Sequence, residues 1–180
     1  EQYKEISQID IPIIIYNVPS RTGMNILPET YKELIKIKNI IGVKESSGDI
    51  SQVAHIKYIC DKYNKKDFKI YSGNDDQIVP VLSLGGNGVI SVLANIFPLE
   101  THMICEKYFN NNLKESLKEQ LRFLPLIKNL FCEVNPIPIK YAMNKLGFDV
   151  GDCRLPLTKI SEDNAKKLNL CLDKIENKKK

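Results

Sequence analysis

No stretch of this chain reaches the ~20 apolar residues that a membrane-spanning helix needs, although 43% of its 180 residues are hydrophobic. That share is enough for a sizeable core. The cysteines are few and scattered. Cys60, Cys105, Cys132, Cys153 and Cys171 form no C-x-x-C pair, which argues against a zinc site or a disulfide frame and for free thiols in a reducing compartment. The two histidines, His55 and His102, fall in helix-like segments without partners at metal-ligand spacing, so both read as structural. No G-x-G-x-x-G follows a strand-like run. Gly85-Gly86-Asn87-Gly88 precedes its strand instead, and reads as a helix stop and tight turn, not a phosphate cradle. An excess of positive charge is also missing from the body of the chain. The formal net charge is +4, and Lys178, Lys179 and Lys180 supply three of those charges. Taking those three from the 26 lysines and arginines leaves 23 against 22 acidic residues. Nothing in that balance argues for nucleic acid, and the tail reads as a frayed, solvated terminus.

What is present is an alternation of short β-branched runs with amphipathic helical stretches. Strands are expected at Pro12–Asn17, Ile40–Glu45, Phe68–Ser72 and Val89–Val92. Between them lie a loop at Val18–Leu27, helices opening at Pro28 and after Ser47 or Asp49, and a short helix ending at Leu84. Pro98 opens another helix, and helices are expected over Asn112–Phe131, Pro136–Leu146 and Glu162–Asn177, the last capped by Ser161. Strands alternating with helices imply right-handed βαβ units on a parallel sheet. Four such units are half of a (β/α)8 barrel, which typically takes about 250 residues. An open doubly wound sheet is the structural competitor. The expected organisation is a half-barrel over residues 1–111 and a C-terminal helical region over residues 112–180. Residues 1–9 read as the end of a helix and the first residue is Glu1, so a piece of a longer chain is expected. In half a barrel, the strands at Ile13–Tyr16 and Val89–Val92 become open edges, and the barrel-facing side becomes an exposed apolar patch. Aggregation of the isolated chain is expected in consequence.

The most informative stretch is Ile40-Ile41-Gly42-Val43-Lys44-Glu45, broken at once by Ser46-Ser47-Gly48. Four apolar or small residues run into a lysine, as in a parallel strand buried on both faces. Strict alternation would put Ile40, Gly42 and Lys44 on one face and Ile41, Val43 and Glu45 on the other. Desolvation at such a place favours a neutral amine, and a neutral amine can attack a carbonyl to form a Schiff base. A lysine at a strand end can equally escape to solvent with its stem on apolar neighbours.

In α/β barrels the chemistry gathers at the carboxyl ends of strands. Those ends are Tyr16-Asn17, Lys44-Glu45, Ser72-Gly73-Asn74-Asp75 and Val92-Leu93. A tyrosine and a lysine closing neighbouring strands would face one pocket, where a phenol can relay the protons that carbinolamine formation and loss require. The Val18–Gly23 loop places Arg21 at the same rim, and a guanidinium can hold a carboxylate bidentately. Taken singly, Tyr16 reads as a core aromatic and Arg21 as a surface residue. Together with Lys44 they describe an amine-based aldolase or lyase acting on carboxylated substrates.

The motifs Tyr16-Asn17-Val18-Pro19-Ser20-Arg21-Thr22-Gly23, Gly42-Val43-Lys44-Glu45-Ser46-Ser47-Gly48, Gly85-Gly86-Asn87-Gly88-Val89-Ile90-Ser91-Val92 and Asn135-Pro136-Ile137-Pro138-Ile139-Lys140 resemble the dihydrodipicolinate synthase family, in the family's order. Leu155-Pro156-Leu157-Thr158 fits as well. The resemblance implies a Schiff-base class I aldolase and the second half of its barrel, with the family's first four βα units unrepresented. Lys44 would form the imine with pyruvate, Tyr16 would pass protons, and Arg21 would hold the carboxylate of aspartate 4-semialdehyde. The backbone at Ile90 would position pyruvate, with Asn135 and the Gly73-Asn74-Asp75 turn near the pocket. The resemblance implies no metal or organic cofactor, and a cytoplasmic homotetramer on the lysine and diaminopimelate pathway. An N-acetylneuraminate lyase or 2-keto-3-deoxy acid aldolase would keep Tyr16 and Lys44. It would not be expected to carry Arg21 in this loop, nor Asn135-Pro136-Ile137-Pro138. A non-catalytic piece that assembles with a separate amino-terminal half is the alternative from a different class.

Overall fold

The computed structural model describes residues 2–176. Glu1, Asn177 and the lysines at 178, 179 and 180 lie outside the described residues, so the expected frayed tail and the last residue of the final helix are not among them. In chain order the elements are α1 (Gln2–Ile6), β1 (Ile13–Asn17), α2 (Pro19–Thr22), α3 (Pro28–Leu34), β2 (Ile40–Glu45), α4 (Ile50–Lys62), β3 (Lys69–Ser72), α5 (Ile78–Ser83), β4 (Gly88–Val89), α6 (Pro98–Phe109), α7 (Leu113–Leu130), α8 (Ile137–Lys145) and α9 (Glu162–Glu176). The chain divides into two compact units, residues 1–90 and 91–180. Alternation alone put a boundary at residue 111. By packing, α6 goes with α7 in the second unit.

The first unit is a four-stranded parallel sheet in the order β1-β2-β3-β4. Strands β1 and β4 therefore form its two ends among the described residues, as half a barrel requires. The register across the sheet runs Ile15↔Val43↔Ile70 and Tyr16↔Lys44↔Tyr71. In a parallel sheet, residues in register share a face. Ile15, Val43 and Ile70 are buried against Tyr31 and Leu34 of α3 and Val53, Ile56 and Ile59 of α4. Each such side chain contributes about 1.5–3 kcal/mol on burial. The other face is open. On it Tyr16 is 48% exposed and Ile14 42% exposed.

Three local expectations change. A register shift between Ile13 and Ile14 pairs Ile13 with Ile40 and Ile14 with Gly42, so Ile41 is skipped. This β-bulge turns Ile40 to the helix side, where it joins the core beside Val43. Ile40 therefore does not share the face of Lys44, although Lys44 keeps its expected direction. Opposite the helices, Gly42 is buried and Lys44 half-buried. The expected loop after β1 contains a short helix, α2, with Pro19 in its first turn and Gly23 in the left-handed region (φ 69°) as its stop. Finally, β4 ends at Val89 instead of Val92. Its partner β3 stops at Ser72, whose carbonyl accepts from the Ile90 N–H (2.9 Å). Beyond that point a ladder has nothing to pair with, and a 3-10 turn at Leu93–Asn95 follows.

Asp49 caps α4, its carboxylate accepting from the Ser51 N–H at 2.8 Å. The second unit has its own core, in which Phe97 packs on Phe123 (ring centroids 5.3 Å apart) among Leu126, Leu130, Leu168 and Leu172.

Gly42 fixes how closely β2 and β3 approach. A Cβ there would lie 2.6 Å from the Lys69 carbonyl oxygen, a main-chain atom that cannot rotate away. Gly42→Ala is expected to cost about 1–3 kcal/mol, as overpacked sites do, read as a lower denaturant midpoint with little change in slope.

Candidate active site

At the carboxyl ends of β1, β2 and β3 the open face carries a row of three side chains, Tyr16, Lys44 and Tyr71. The sheet register sets their spacing. Lys44 Nζ lies 4.1 Å from the centroid of the Tyr16 ring. The amino group thus rests on the face of the Tyr16 ring, a contact that orients it. Lys44 is half-buried. The lysine and tyrosine anticipated from the strand ends are therefore together. Tyr71, one strand further along, was not anticipated, although its place at the end of β3 follows from the same alternation.

Gly73 closes the other side of Lys44. A Cβ at Gly73 would lie 1.7 Å from Ser46 Oγ and 3.0 Å from Lys44 Cε. Glycine is required there because the space a side chain would take is already filled. The Gly73 N–H donates to the Glu45 carbonyl at 2.8 Å, which pins the turn to the strand that carries the lysine. Ser46 Oγ is buried and has no hydrogen-bond partner among the described residues, so a hydroxyl next to Lys44 is left with unused capacity. Asp75, two residues after Gly73, is buried as well.

Arg21 sits on α2, exposed, in the short segment that leaves β1 directly after Asn17. The N–H of Ile90 is used by Ser72, which leaves its carbonyl as the backbone group able to face a ligand. Its side chain is 41% exposed. Asn135 belongs to the second unit, where it precedes Pro136 across a cis peptide bond. Its Oδ1 is buried without a hydrogen-bond partner among the described residues.

The reverse side of the strand ends holds a polar cluster. Asn17, Glu45 and Gln52 are buried to 1%, 3% and 4% exposure. Glu45 accepts from Asn17 Nδ2 (3.1 and 2.9 Å), from the Ser47 N–H (2.7 Å) and from Gln52 Nε2 (3.1 Å). Asn17 and Glu45 follow Tyr16 and Lys44 in sequence, which on a strand turns them to the opposite face. A carboxylate and an amide pointing into a helix-covered interior would be costly unless they met each other. That cost was the available signal.

Among the described residues no group of three or more His, Cys, Asp and Glu could hold a metal ion. No helix among them is long and apolar enough to cross a membrane. Burial pushes the Cys60 thiol up to about 11, far from a reactive thiolate.

The fold agrees with that of known proteins. The profile of the Dihydrodipicolinate synthetase family matches residues 1–175. The chain belongs to that family. It is 59% identical over 173 residues to a 4-hydroxy-tetrahydrodipicolinate synthase of Caldicellulosiruptor saccharolyticus, covering 96% of this chain and 57% of the relative. Among solved structures, the dihydrodipicolinate synthase of Thermotoga maritima superposes with a TM-score of 0.91 at 42% identity, over 96% of this chain and 59% of that one. The chloride-inhibited enzyme of Acinetobacter baumannii, complexed with pyruvate, matches with a TM-score of 0.85 at 33% identity, over 95% and 59% of the two chains. The chain thus spans just over half the length of these relatives.

Gly73→Ala tests the packing around the lysine. The added methyl must displace Ser46 Oγ and press on Lys44 Cε. The amine should leave its place over Tyr16, and reaction of Lys44 with a keto acid should fall at least about tenfold, the effect of a displacement worth ~1.4 kcal/mol. Chemical labelling of Lys44 by a keto acid and hydride, compared with unlabelled lysines of the same chain, gives the ratio.

Proposed function

We propose that this chain is the part of a 4-hydroxy-tetrahydrodipicolinate synthase that carries its Schiff-base lysine, and that its four strands are the second half of the (β/α)8 barrel. The observation that carries this reading is the amine of Lys44, held 4.1 Å over the Tyr16 ring at the carboxyl ends of parallel strands. In this reading the Lys44 amine attacks the keto carbon of pyruvate. The carbinolamine loses water to give the imine. Loss of a methyl proton gives the enamine, and its carbon attacks the aldehyde of aspartate 4-semialdehyde. Each stage moves a proton at oxygen or nitrogen, and the Tyr16 phenol stands where it can pass them. Gly73 and the Ile90 carbonyl border the keto acid. On the family resemblance, Asn135 belongs to the same substrate-binding set. Arg21 takes the semialdehyde carboxylate, for which a guanidinium offers two parallel donors. The chemistry calls on no metal or organic cofactor. The Acinetobacter relative bound to pyruvate supports the choice of keto acid. We place the parent protein in the cytoplasm as a homotetramer serving lysine and diaminopimelate biosynthesis.

Pyruvate and borohydride should add one reduced pyruvyl group to the chain, on the peptide containing Lys44, and Lys44→Ala should abolish it. Labelling spread over several lysines, or surviving in Lys44→Ala, would overturn the reading. Arg21 separates a dihydrodipicolinate synthase from an N-acetylneuraminate lyase or a 2-keto-3-deoxy acid aldolase, both of which also form an imine with pyruvate. Arg21→Ala removes a charge-assisted contact worth about 1.5–3 kcal/mol, a ten- to hundredfold effect. The loss should fall on semialdehyde use and leave pyruvate trapping intact. Equal loss of both would assign Arg21 elsewhere.

A further inference from the structure

The segment that carries Arg21 is tied to the sheet almost wholly by side chains. Its main-chain hydrogen bonds close within itself: the Arg21 and Thr22 N–H groups donate to the Val18 carbonyl, and Gly23 to Pro19. What joins it to the strands is Asn17. The Asn17 Oδ1 accepts from the Ile26 N–H (3.0 Å), and its Nδ2 donates to Asn25 Oδ1 (2.8 Å) and to Glu45. Asn25 in turn exchanges hydrogen bonds with Gln52 of α4 (2.9 and 3.1 Å). Both ends of the segment therefore close on one amide, and that amide is oriented by one carboxylate.

We propose that Glu45 is a positioning residue, whose buried carboxylate fixes the Arg21 segment relative to the strand that carries Lys44. The proposal rests on reading Lys44 and Arg21 as two parts of one substrate site. A carboxylate is the side chain that fits, because it only accepts, and three separate groups donate to it: the Asn17 amide, the Ser47 N–H and the Gln52 amide. Among the described residues no lysine or arginine forms an ion pair with it. An amide at position 45 would set an NH2 against one of these donors. It would then rotate Asn17 or Gln52 and release Asn25 and Ile26. Lys44 is held differently. Its strand has main-chain ladders on both sides, which do not depend on Glu45.

The two roles separate in one experiment on the full chain. In Glu45→Gln, amide hydrogen exchange over residues 18–26 should accelerate by about tenfold or more, the effect of losing a hydrogen bond to a buried charge. The Val43 and Ile70 amides should keep wild-type protection. The transposed pair Glu45→Gln with Gln52→Glu should restore part of the protection to 18–26, since Asn25 keeps one of its two hydrogen bonds to position 52. It keeps one carboxylate in the cluster and reverses the hydrogen bond between positions 45 and 52, at the loss of the donation from position 52 to Asn25 Oδ1 and of the shorter Asn17 contact, while the side-chain oxygen at position 45 still accepts from Ser47 and Asn17. Unchanged exchange over 18–26 in Glu45→Gln, or equal acceleration throughout β1–β3, overturns the proposal. If Glu45→Gln does not fold, the transposed pair decides: a folded, protected chain supports the proposal and an unfolded one overturns it. Pyruvate trapping on Lys44 is run on the same samples. Failure of trapping in the wild type removes the Schiff-base reading without touching the exchange result. Where trapping succeeds, Glu45→Gln should raise the semialdehyde KM about tenfold and leave the trapping rate within about twofold, the split expected when Arg21 alone is displaced.

Discussion

A single buried contact, the Asn17 amide on the Glu45 carboxylate at 2.9 Å, constrains most of what matters in the first unit. Burying that carboxylate without donors would cost several kcal/mol. With donors from Asn17, Ser47 and Gln52, the same group specifies where three pieces of chain meet: the end of β1, the turn after β2 and the first turn of α4. The register Asn17↔Glu45 is thereby fixed by side chains as well as by the ladder. A slip of one residue would reverse every face and move Lys44 into the helices.

The four-stranded parallel sheet was legible in the sequence because β-branched runs and helical stripes alternate without interruption from Ile13 to Val89. Lys44 beside Tyr16 was legible for the same reason, as two neighbouring strand ends counted in steps of two. The side of Ile40 was not, because a bulge breaks the period and nothing in Ile40-Ile41-Gly42 marks which residue is skipped. The early end of β4 is set by the length of β3, a property of a different segment. The short helix α2 escaped because four residues carry too little periodicity to separate a helical turn from a loop. Asn17, Asn25, Glu45 and Gln52 lie up to 35 positions apart, and only the folded chain reveals that their hydrogen-bonding capacities match. Their polarity at positions facing the helices was visible, but its solution was not.

The sheet thus divides its labour by face. The helix side is packed, and at the strand ends its buried Glu45 carboxylate is hydrogen-bonded by Asn17, Ser47 and Gln52. The other side carries exposed Ile14, Tyr16 and Ile90, and on the proposed half-barrel reading it is the face that the remaining strands would enclose. Gly73 beside the lysine answers a local constraint. At Gly73 the space of a side chain is taken by Ser46 Oγ and Lys44 Cε themselves, so the lysine stem packs close to the backbone of the next strand end. A flexible lysine stem carries about 2 kcal/mol of rotamer entropy. Confining it between a tyrosine face and a glycine main chain settles that cost during folding, and on the proposed Schiff-base role this preorganises the nucleophile.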